Sequence, residues 1–126
     1  EKLPFMDWRQ LPAVIAGLDI NLMPLENSLF HWCKSENKWT EAALVKVPSV
    51  MSRNCEMEYV VENGKDGWMC TTKEEWVNAL EALVTDEKAR KAMGETAHQK
   101  VMEHYLTVNT GKDAMEELLC SESYTK

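Results

Sequence analysis

Apolar positions along the chain alternate between two kinds of pattern, and this alternation predicts an α/β fold. Short apolar runs at 20–25, 48–52 and 68–70 have the length of buried strands. Segments with helical spacing separate and follow these runs. The longest of them extends from Asp86 to about Tyr105, with an apolar residue at every fourth position of one face. The pattern therefore indicates a Rossmann-like parallel sheet flanked by helices.

Turn and capping residues set the expected bounds of the other elements. Pro12 fits the first turn of a helix over 11–18. Thr71 or Thr72 is expected to cap the helix that follows the third strand, and two glycines in the turn at 62–67 are expected to supply positive φ. The remaining segments are interpreted as a loop at 26–34, a loop turning into a short helix at 53–61, a last amphipathic helix at 110–119 and a frayed tail from Ser121.

The segment 34–48 is the part of the chain on which a binding site depends. It joins two predicted strands through a helix that Ser35 is expected to cap, and the second half of that helix, Ala42 to Val45, is almost wholly apolar. Such a unit is a right-handed crossover between parallel strands. Ligands of these sheets bind at the carboxyl ends of the strands, where helix N-termini point. The residues placed at this edge are Lys34, Ser35, Glu36, Lys38 and Glu41, with Trp32 in the preceding loop.

Composition and charge exclude several classes of protein. The chain has 126 residues, enough for one domain, and a net charge of -7, which argues against non-specific nucleic-acid binding. No apolar run approaches about 18 residues, so no membrane span is predicted. The spacing of the cysteines argues against zinc and favours reduced thiols in a cytoplasmic protein, and no metal site is predicted. The cysteines are Cys33, Cys55, Cys70 and Cys120, and the histidines, interpreted as solvated helix residues, are His31, His98 and His104.

Four segments, taken in chain order, together resemble one family of enzymes. They read LPAVIAGLDINLMPL, KSENKWTEAALVKVPSVMS, VVENGKDGWMC and EEWVNALEALVTDEKARKAMGETAHQKVMEHY. Their order resembles the C-terminal, nucleotide-sugar-binding half of a retaining family 4 (group 1) glycosyltransferase of the GT-B fold. The resemblance covers roughly residues 8 to 119.

The resemblance implies that residues 1–126 form a single domain, the donor-binding portion of a larger two-domain enzyme. The donor would be a nucleoside-diphosphate sugar, the N-terminal domain of the parent chain would bind the acceptor, and neither a cofactor nor a metal ion would be needed. Polysaccharide biosynthesis is the context that the resemblance suggests. The early strands of the domain would precede residue 1. If they are absent, the strand at 20–25 is an exposed apolar edge that favours self-association.

The family's pair of glutamates also gives individual residues a role. Glu41 matches the second glutamate, which binds the ribose hydroxyls of the nucleotide. The first, which contacts the donor sugar, would fall at Cys33. Lys46 stands where the family has a glycine before the proline, and residues 54–56 replace a glycine-rich loop. The basic pair that neutralises the diphosphate would lie upstream.

Each candidate residue also has an interpretation that needs no ligand. Glu41 would be a helix-surface carboxylate that interacts with the helix dipole or with Lys38. Lys34 and Ser35 would be a solvated lysine and an ordinary helix cap, although a helix N-terminus beside a lysine is also a competent diphosphate site. Trp32 would pack between helices.

Two functional hypotheses therefore stay open: a donor-binding transferase domain that shows no turnover on its own, and a degenerate, non-catalytic binding or scaffold module. A flavodoxin-like domain would need a glycine-rich phosphate loop or an acidic cluster with a lysine, and neither is present. The site hypothesis requires Glu41 and the amides around Ser35 to open onto the same cleft.

Overall fold

A computed structural model describes residues 3–112 and residue 115. Within this part of the chain, three parallel strands form one sheet in the order β1-β2-β3. The strands are β1 (Asn21–Met23), β2 (Ser49–Ser52) and β3 (Trp68–Cys70). The predicted α/β class and all three strand positions are confirmed. β1 is shorter than the predicted run at 20–25 because Pro24 has no N–H to donate, and the Leu25 N–H donates instead to the Ser52 hydroxyl at 2.8 Å.

Helices connect the strands and cover the sheet. They are α1 (Leu11–Ala16), which a 3-10 turn at Trp8–Gln10 precedes, α2 (Leu29–Trp32), α3 (Asn37–Leu44), α4 (Cys55–Val60), α5 (Lys73–Thr85) and α6 (Glu87–His104). Residues 107–112 are also helical, so the last predicted helix begins before Thr110, and the rest of 110–119 apart from residue 115 lies outside the described residues. α2 corrects the prediction of a loop at 26–34. Ser28 caps it by accepting from the His31 N–H.

The core lies on both faces of the sheet because neighbouring residues of β2 point to opposite sides. Met51 packs in a cluster with Trp39, Met57 and Val101, whereas Val50 belongs to a second cluster with α5 that includes Leu83. α6 contributes to both clusters and packs along α3. The two apolar faces therefore fix α3 and α5 relative to the strand ends.

The start of α3 differs from the prediction. The helix begins at Asn37 with Glu36 at the N-cap position, and no side chain caps it, so Ser35 is not the cap. Packing sets this start: Trp39 is fully buried and its indole N–H donates to the Asp66 carbonyl at 2.9 Å. With Trp39 fixed, the first helical carbonyl is that of Glu36, which accepts from the Thr40 N–H at 3.0 Å. Ser35 therefore stands outside the helix.

The end of α3 is a Schellman motif with a lysine at the left-handed position. Lys46 has a φ of 63°, its N–H bonds to the Ala43 carbonyl, and the next N–H bonds to Ala42. This is the position at which the resemblance predicts glycine. α6 approaches closely here, since a Cβ at Gly94 would overlap the Lys46 carbonyl oxygen. A small residue at 94 is what allows α6 to lie against this turn.

The turn at 62–67 is tied to the core by a buried carboxylate. Asp66 accepts from the Glu62 N–H at 2.8 Å and from the Lys100 ammonium at 2.7 Å. Its side chain is only 3% exposed, against 30% for Lys100. Of the two glycines in the turn, Gly64 has positive φ and Gly67 does not, which corrects the prediction. Gly67 is needed for space: a Cβ there would lie 3.0 Å from both Met51 and Val61 side-chain carbons.

Candidate functional site

Two adjoining cavities open at the carboxyl ends of the strands, and each has a volume of about 370 Å³. We call the cavity lined by Leu22–Leu25, His31, Lys34, Ser35, Asn37 and Lys38 the basic cavity. The polar cavity is lined by Leu25–Asn27, His31, Trp32, Ser52–Cys55, Glu58, Cys70 and Thr71. Leu25 and His31 line both, so one continuous depression follows this edge of the sheet.

The basic cavity carries two lysines and no carboxylate. In the described part of the chain, neither Lys34 nor Lys38 forms an ion pair. The Lys34 ammonium lies over the Phe30 ring, 4.5 Å from its centroid. The N-terminus of α3 adds uncapped backbone N–H groups at the same place. Two cations, a hydroxyl at Ser35 and a helix N-terminus together provide the chemistry of an anion site.

The polar cavity carries mixed donors and acceptors around an aromatic edge. Arg53 pairs with Glu58 at 3.0 Å, and the Trp32 indole N–H donates to the Asn27 amide oxygen at 2.7 Å. Asn54 is buried, and its side-chain oxygen caps α4 by accepting from the Met57 N–H at 2.8 Å. Such a lining suits an uncharged ligand with several hydroxyl groups, for which donors and acceptors are both needed.

His31 lies between the two cavities, a position that was not predicted from the sequence. The sequence places it among solvated helix histidines, but it is half-buried, and its Nδ1 lies 2.8 Å from the Ser28 hydroxyl. Its ring also contacts Phe30 edge-on. The available signal was its position beside Trp32 in the segment that follows β1. Ser28 fixes the ring as well as capping α2.

The structure brings four of the six predicted site residues to this depression. Lys34, Ser35 and Lys38 line the basic cavity, and Trp32 lines the polar cavity. Glu36 lines neither. Its carboxylate belongs to the surroundings of Tyr105, where burial first, and then the charges of Glu36, Glu56 and Asp66, raise the pKa of the phenol.

Glu41 is exposed and lines neither cavity, so the cavities alone do not meet the requirement that it open onto the same cleft as the amides around Ser35. It lies three residues after Lys38 and four after Asn37, so it is on the same face of α3 one turn further from the helix start. No ion pair between Lys38 and Glu41 forms among the described residues, so the ligand-free interpretation of Glu41 rests on its interaction with the helix dipole. A ligand that extends along this face can meet the basic cavity and Glu41 together.

The part of the chain that the structure describes holds no helix both long and apolar enough to cross a membrane.

A parallel sheet with cavities at its strand ends is the arrangement of Rossmann-like ligand-binding domains. The sequence profile of the family described as "Glycosyl transferases group 1" matches residues 1–86, more than half of the chain. The chain therefore belongs to the group 1 glycosyl transferases, and the resemblance predicted from its sequence is confirmed.

Solved structures show the same fold. The chain is similar to the C-terminal domain of a glycosyl transferase group 1 family protein (LpcC) from Francisella tularensis, with a TM-score of 0.61 and 18% identity. The match covers 82% of this chain and 52% of that one, so the chain spans about half the length of the solved domain. Among curated proteins none matches.

Proposed function

We propose that this domain binds the nucleoside-diphosphate sugar of a glycosyl transferase along the depression at the carboxyl ends of the strands. The observation that carries the proposal is the basic cavity, which has two lysines without carboxylate partners among the described residues, beside the uncapped start of α3. A diphosphate is the anionic part of every such donor. It would gain charge-assisted hydrogen bonds there at little cost, because no internal ion pair has to be broken.

The direction of α3 indicates where the ribose and the sugar of the donor would bind. With the diphosphate beside Lys34, Ser35 and Lys38, one turn of helix, about 5.4 Å, leads to Glu41. A carboxylate accepts two ribose hydroxyls well, which is the role that the family resemblance gives to Glu41. The sugar would occupy the polar cavity in the opposite direction, against Trp32. Glu36 has no role in this arrangement.

Transfer itself is proposed for a larger chain. The basic residues and amides would stabilise the leaving diphosphate electrostatically, with no cofactor and no metal ion. An N-terminal domain would bind the acceptor, so we expect the present chain to bind a donor without turnover. A cytoplasmic location and a part in polysaccharide synthesis are further expectations of this proposal.

Self-association is a separate prediction that concerns β1. In the described residues β1 pairs only with β2, and Leu22 on it is 51% exposed. An open apolar strand edge can pair with a second chain. Sedimentation of the chain would show concentration-dependent dimers if this edge is used.

The second candidate function is a binding or scaffold module that no longer catalyses. The observation in its favour is Cys33, which stands where the family's first glutamate would contact the donor sugar. A thiol cannot replace a carboxylate as an acceptor for sugar hydroxyls. This candidate predicts either no nucleotide binding or binding that is indifferent to the sugar.

Calorimetric titration with UDP, GDP and their sugars tests the proposal. We expect micromolar binding of at least one nucleotide, weakened by added salt because the cavity is basic. Glu41→Ala should lower affinity about 10- to 150-fold, the equivalent of one charge-assisted hydrogen bond. Lys34→Ala and Lys38→Ala should each act in the same direction.

Matched controls are available on the opposite side of the molecule. Glu81→Ala on α5 and Lys88→Ala on α6 remove exposed charges of the same kinds and should leave affinity unchanged. Circular dichroism of each variant confirms that the fold is intact. Absence of binding by the folded chain, or equal losses in site and control variants, would contradict the proposal and favour the non-catalytic module.

A further inference from the structure

Two cysteines lie at the adjoining ends of two helices, and one of them, Cys55, lines the polar cavity. Cys33 follows the last residue of α2, and Cys55 is the first residue of α4. The Cys55 Sγ is 4.0 Å from the carbonyl oxygen of Trp32, the residue bonded to Cys33. Both cysteines are exposed and free.

The contact between the two helix ends holds this pair in place. The start of α4 meets the end of α2, where the Asn54 amide donates to the His31 carbonyl at 3.5 Å and the Cys55 thiol reaches the next carbonyl. Asn54 is anchored by its cap bond to the Met57 N–H. Standard peptide geometry puts the Cys33 Cα about 3 Å from the Trp32 oxygen, so the Cys55 Sγ lies within about 7 Å of that Cα.

We propose that Cys33 and Cys55 form a thiol pair that closes to an intramolecular disulfide under a peroxide-class oxidant. A disulfide needs its two Cα atoms about 4.4–6.8 Å apart. The contact limits the two Cα atoms to at most about 10 Å, since the Cys55 Sγ lies about 3 Å from its own Cα. Cys33 follows a helix of only four residues, so a shift of this short element can bring the two Cα atoms into bonding range. This chemistry does not depend on the proposed function of the domain.

The reaction balances in two steps. One thiolate attacks a peroxide oxygen, giving a sulfenic acid and, with a proton, water. The second thiolate attacks the sulfenic sulfur, forms the S–S bond and displaces hydroxide, which leaves as a second water. The two sulfurs lose two electrons and hydrogen peroxide gains them. A dithiol reductant reverses the change by thiol–disulfide exchange.

Cys70 provides an internal reference. It is buried in the core, and burial, followed by the charge of Glu75, raises the pKa of its thiol. A buried, protonated thiol reacts slowly with peroxide.

The disulfide between Cys33 and Cys55 would connect α2 to α4, the two helices that flank the polar cavity. It would thus alter access to that cavity reversibly.

The test is peroxide oxidation of the full chain followed by intact mass and peptide mapping. Cys120 lies outside the described residues, so Cys120→Ser serves as the background. We expect the loss of two hydrogen masses and a crosslinked peptide joining Cys33 to Cys55, with Cys70 unmodified. Cys33→Ser and Cys55→Ser should each abolish this mass loss and leave a single exposed thiol, which peroxide oxidises to a sulfenic acid.

A second measurement does not need an oxidant. A trivalent arsenical such as phenylarsine oxide binds two adjacent thiols and should protect Cys33 and Cys55 together from alkylation. Independent oxidation of the two thiols without a crosslink, or crosslinks only between chains, would overturn the proposal. Failure of arsenical protection in the folded chain would overturn it as well.

Discussion

The two faces of α3 make different demands on the sequence. On its inner face, Trp39 and Ala43 have no exposed surface, and α6 packs along the helix. At the turn that ends α3, a side chain at Gly94 of α6 would meet the Lys46 backbone. On its outer face and at its start, Asn37, Lys38 and Glu41 are exposed to solvent. The inner face fixes the helix, and the outer face is free to bind.

This difference separates stability from binding. Changes on the inner face should unfold the domain, because buried groups there have no alternative partners. Changes at the strand-end depression should leave stability almost unchanged, as is usual for surface positions. Variants that change stability, taken in order of decreasing expected effect, can break or sharpen this difference.

The largest effect is expected from the buried carboxylate of the turn. Asp66→Ala removes the partner of the Lys100 ammonium and the acceptor of the Glu62 N–H. Breaking a buried ion pair costs about 3–5 kcal/mol, and we expect about 3 because Lys100 is partly exposed. Urea unfolding followed by tryptophan fluorescence measures the loss.

The same turn supplies a control for this change. Lys65 pairs with Glu62 at the surface, and both side chains are 61% exposed. Lys65→Ala should therefore change the free energy of unfolding far less than Asp66→Ala does. Equal losses for the two variants would mean that the buried pair does not hold the turn.

The next effect concerns the contact between α6 and the end of α3. Gly94→Ala places a methyl group against the Lys46 carbonyl, and overpacking of this kind costs about 1–3 kcal/mol. Gly111→Ala is the matched control, because nothing lies within 4 Å of that position. Thermal unfolding should show a large loss for the first variant and none, or a small gain, for the second. An unchanged Tm for Gly94→Ala would contradict this packing.

A smaller effect is expected at the start of α5, where Thr72 and Glu75 form a capping box. Thr72→Ala should cost about 1 kcal/mol. Hydrogen bonds from the Thr71 and Thr72 N–H groups lower the pKa of Glu75. The stability that this carboxylate contributes is thus present above its unfolded pKa of about 4.3 and is lost as the pH falls through its lower folded pKa.

The pH dependence provides the check on this cap. Stability measured from pH 7 down to pH 3 should fall less steeply for Glu75→Gln than for the parent chain. Glu74→Gln, a neighbouring exposed glutamate of the same first turn, is the control. Identical acid limbs for the parent and Glu75→Gln would show that the box contributes nothing.

The smallest effect is expected at the left-handed residue that ends α3. Lys46 has positive φ, which costs an L-residue about 1 kcal/mol relative to glycine. Lys46→Gly relieves this but loses the contact with Glu95 at 2.8 Å, whereas Lys46→Ala loses the contact alone. The glycine variant should be the more stable of the two by about 0.5 kcal/mol in urea unfolding, because the greater freedom of glycine in the unfolded chain offsets part of the relieved strain. The reverse order would refute the strain at this residue.

Local signals in the sequence were sufficient for most of the fold. Apolar runs predicted the three strands, and Thr71 or Thr72 predicted the start of α5, because these signals lie within a few residues of what they determine. The start of α3 could not be predicted in this way. It depends on the bond from Trp39 to Asp66, which joins residues 27 positions apart.

The candidate site, like the fold, could be predicted only where local signals or topology determine it. Lys34, Ser35 and Lys38 could be placed at the strand ends because topology alone directs ligands there. The sequence also places Glu36 at this edge, but it lines neither cavity and is the N-cap residue of a helix that starts one residue later than predicted. His31 was missed because its place between two cavities depends on α2, a four-residue helix with a weak signal.

The central claim is that a nucleotide binds along the outer face of α3 and the adjoining basic cavity. Its most direct test is an NMR titration of the isotope-labelled chain with UDP and with GDP, following backbone amide shifts. We predict saturable shifts concentrated in residues 31–41 with at least one nucleotide, while the buried contacts around 62–67 and 94–101 stay unchanged. No shifts with either nucleotide, or shifts centred on those inner segments, would contradict the account.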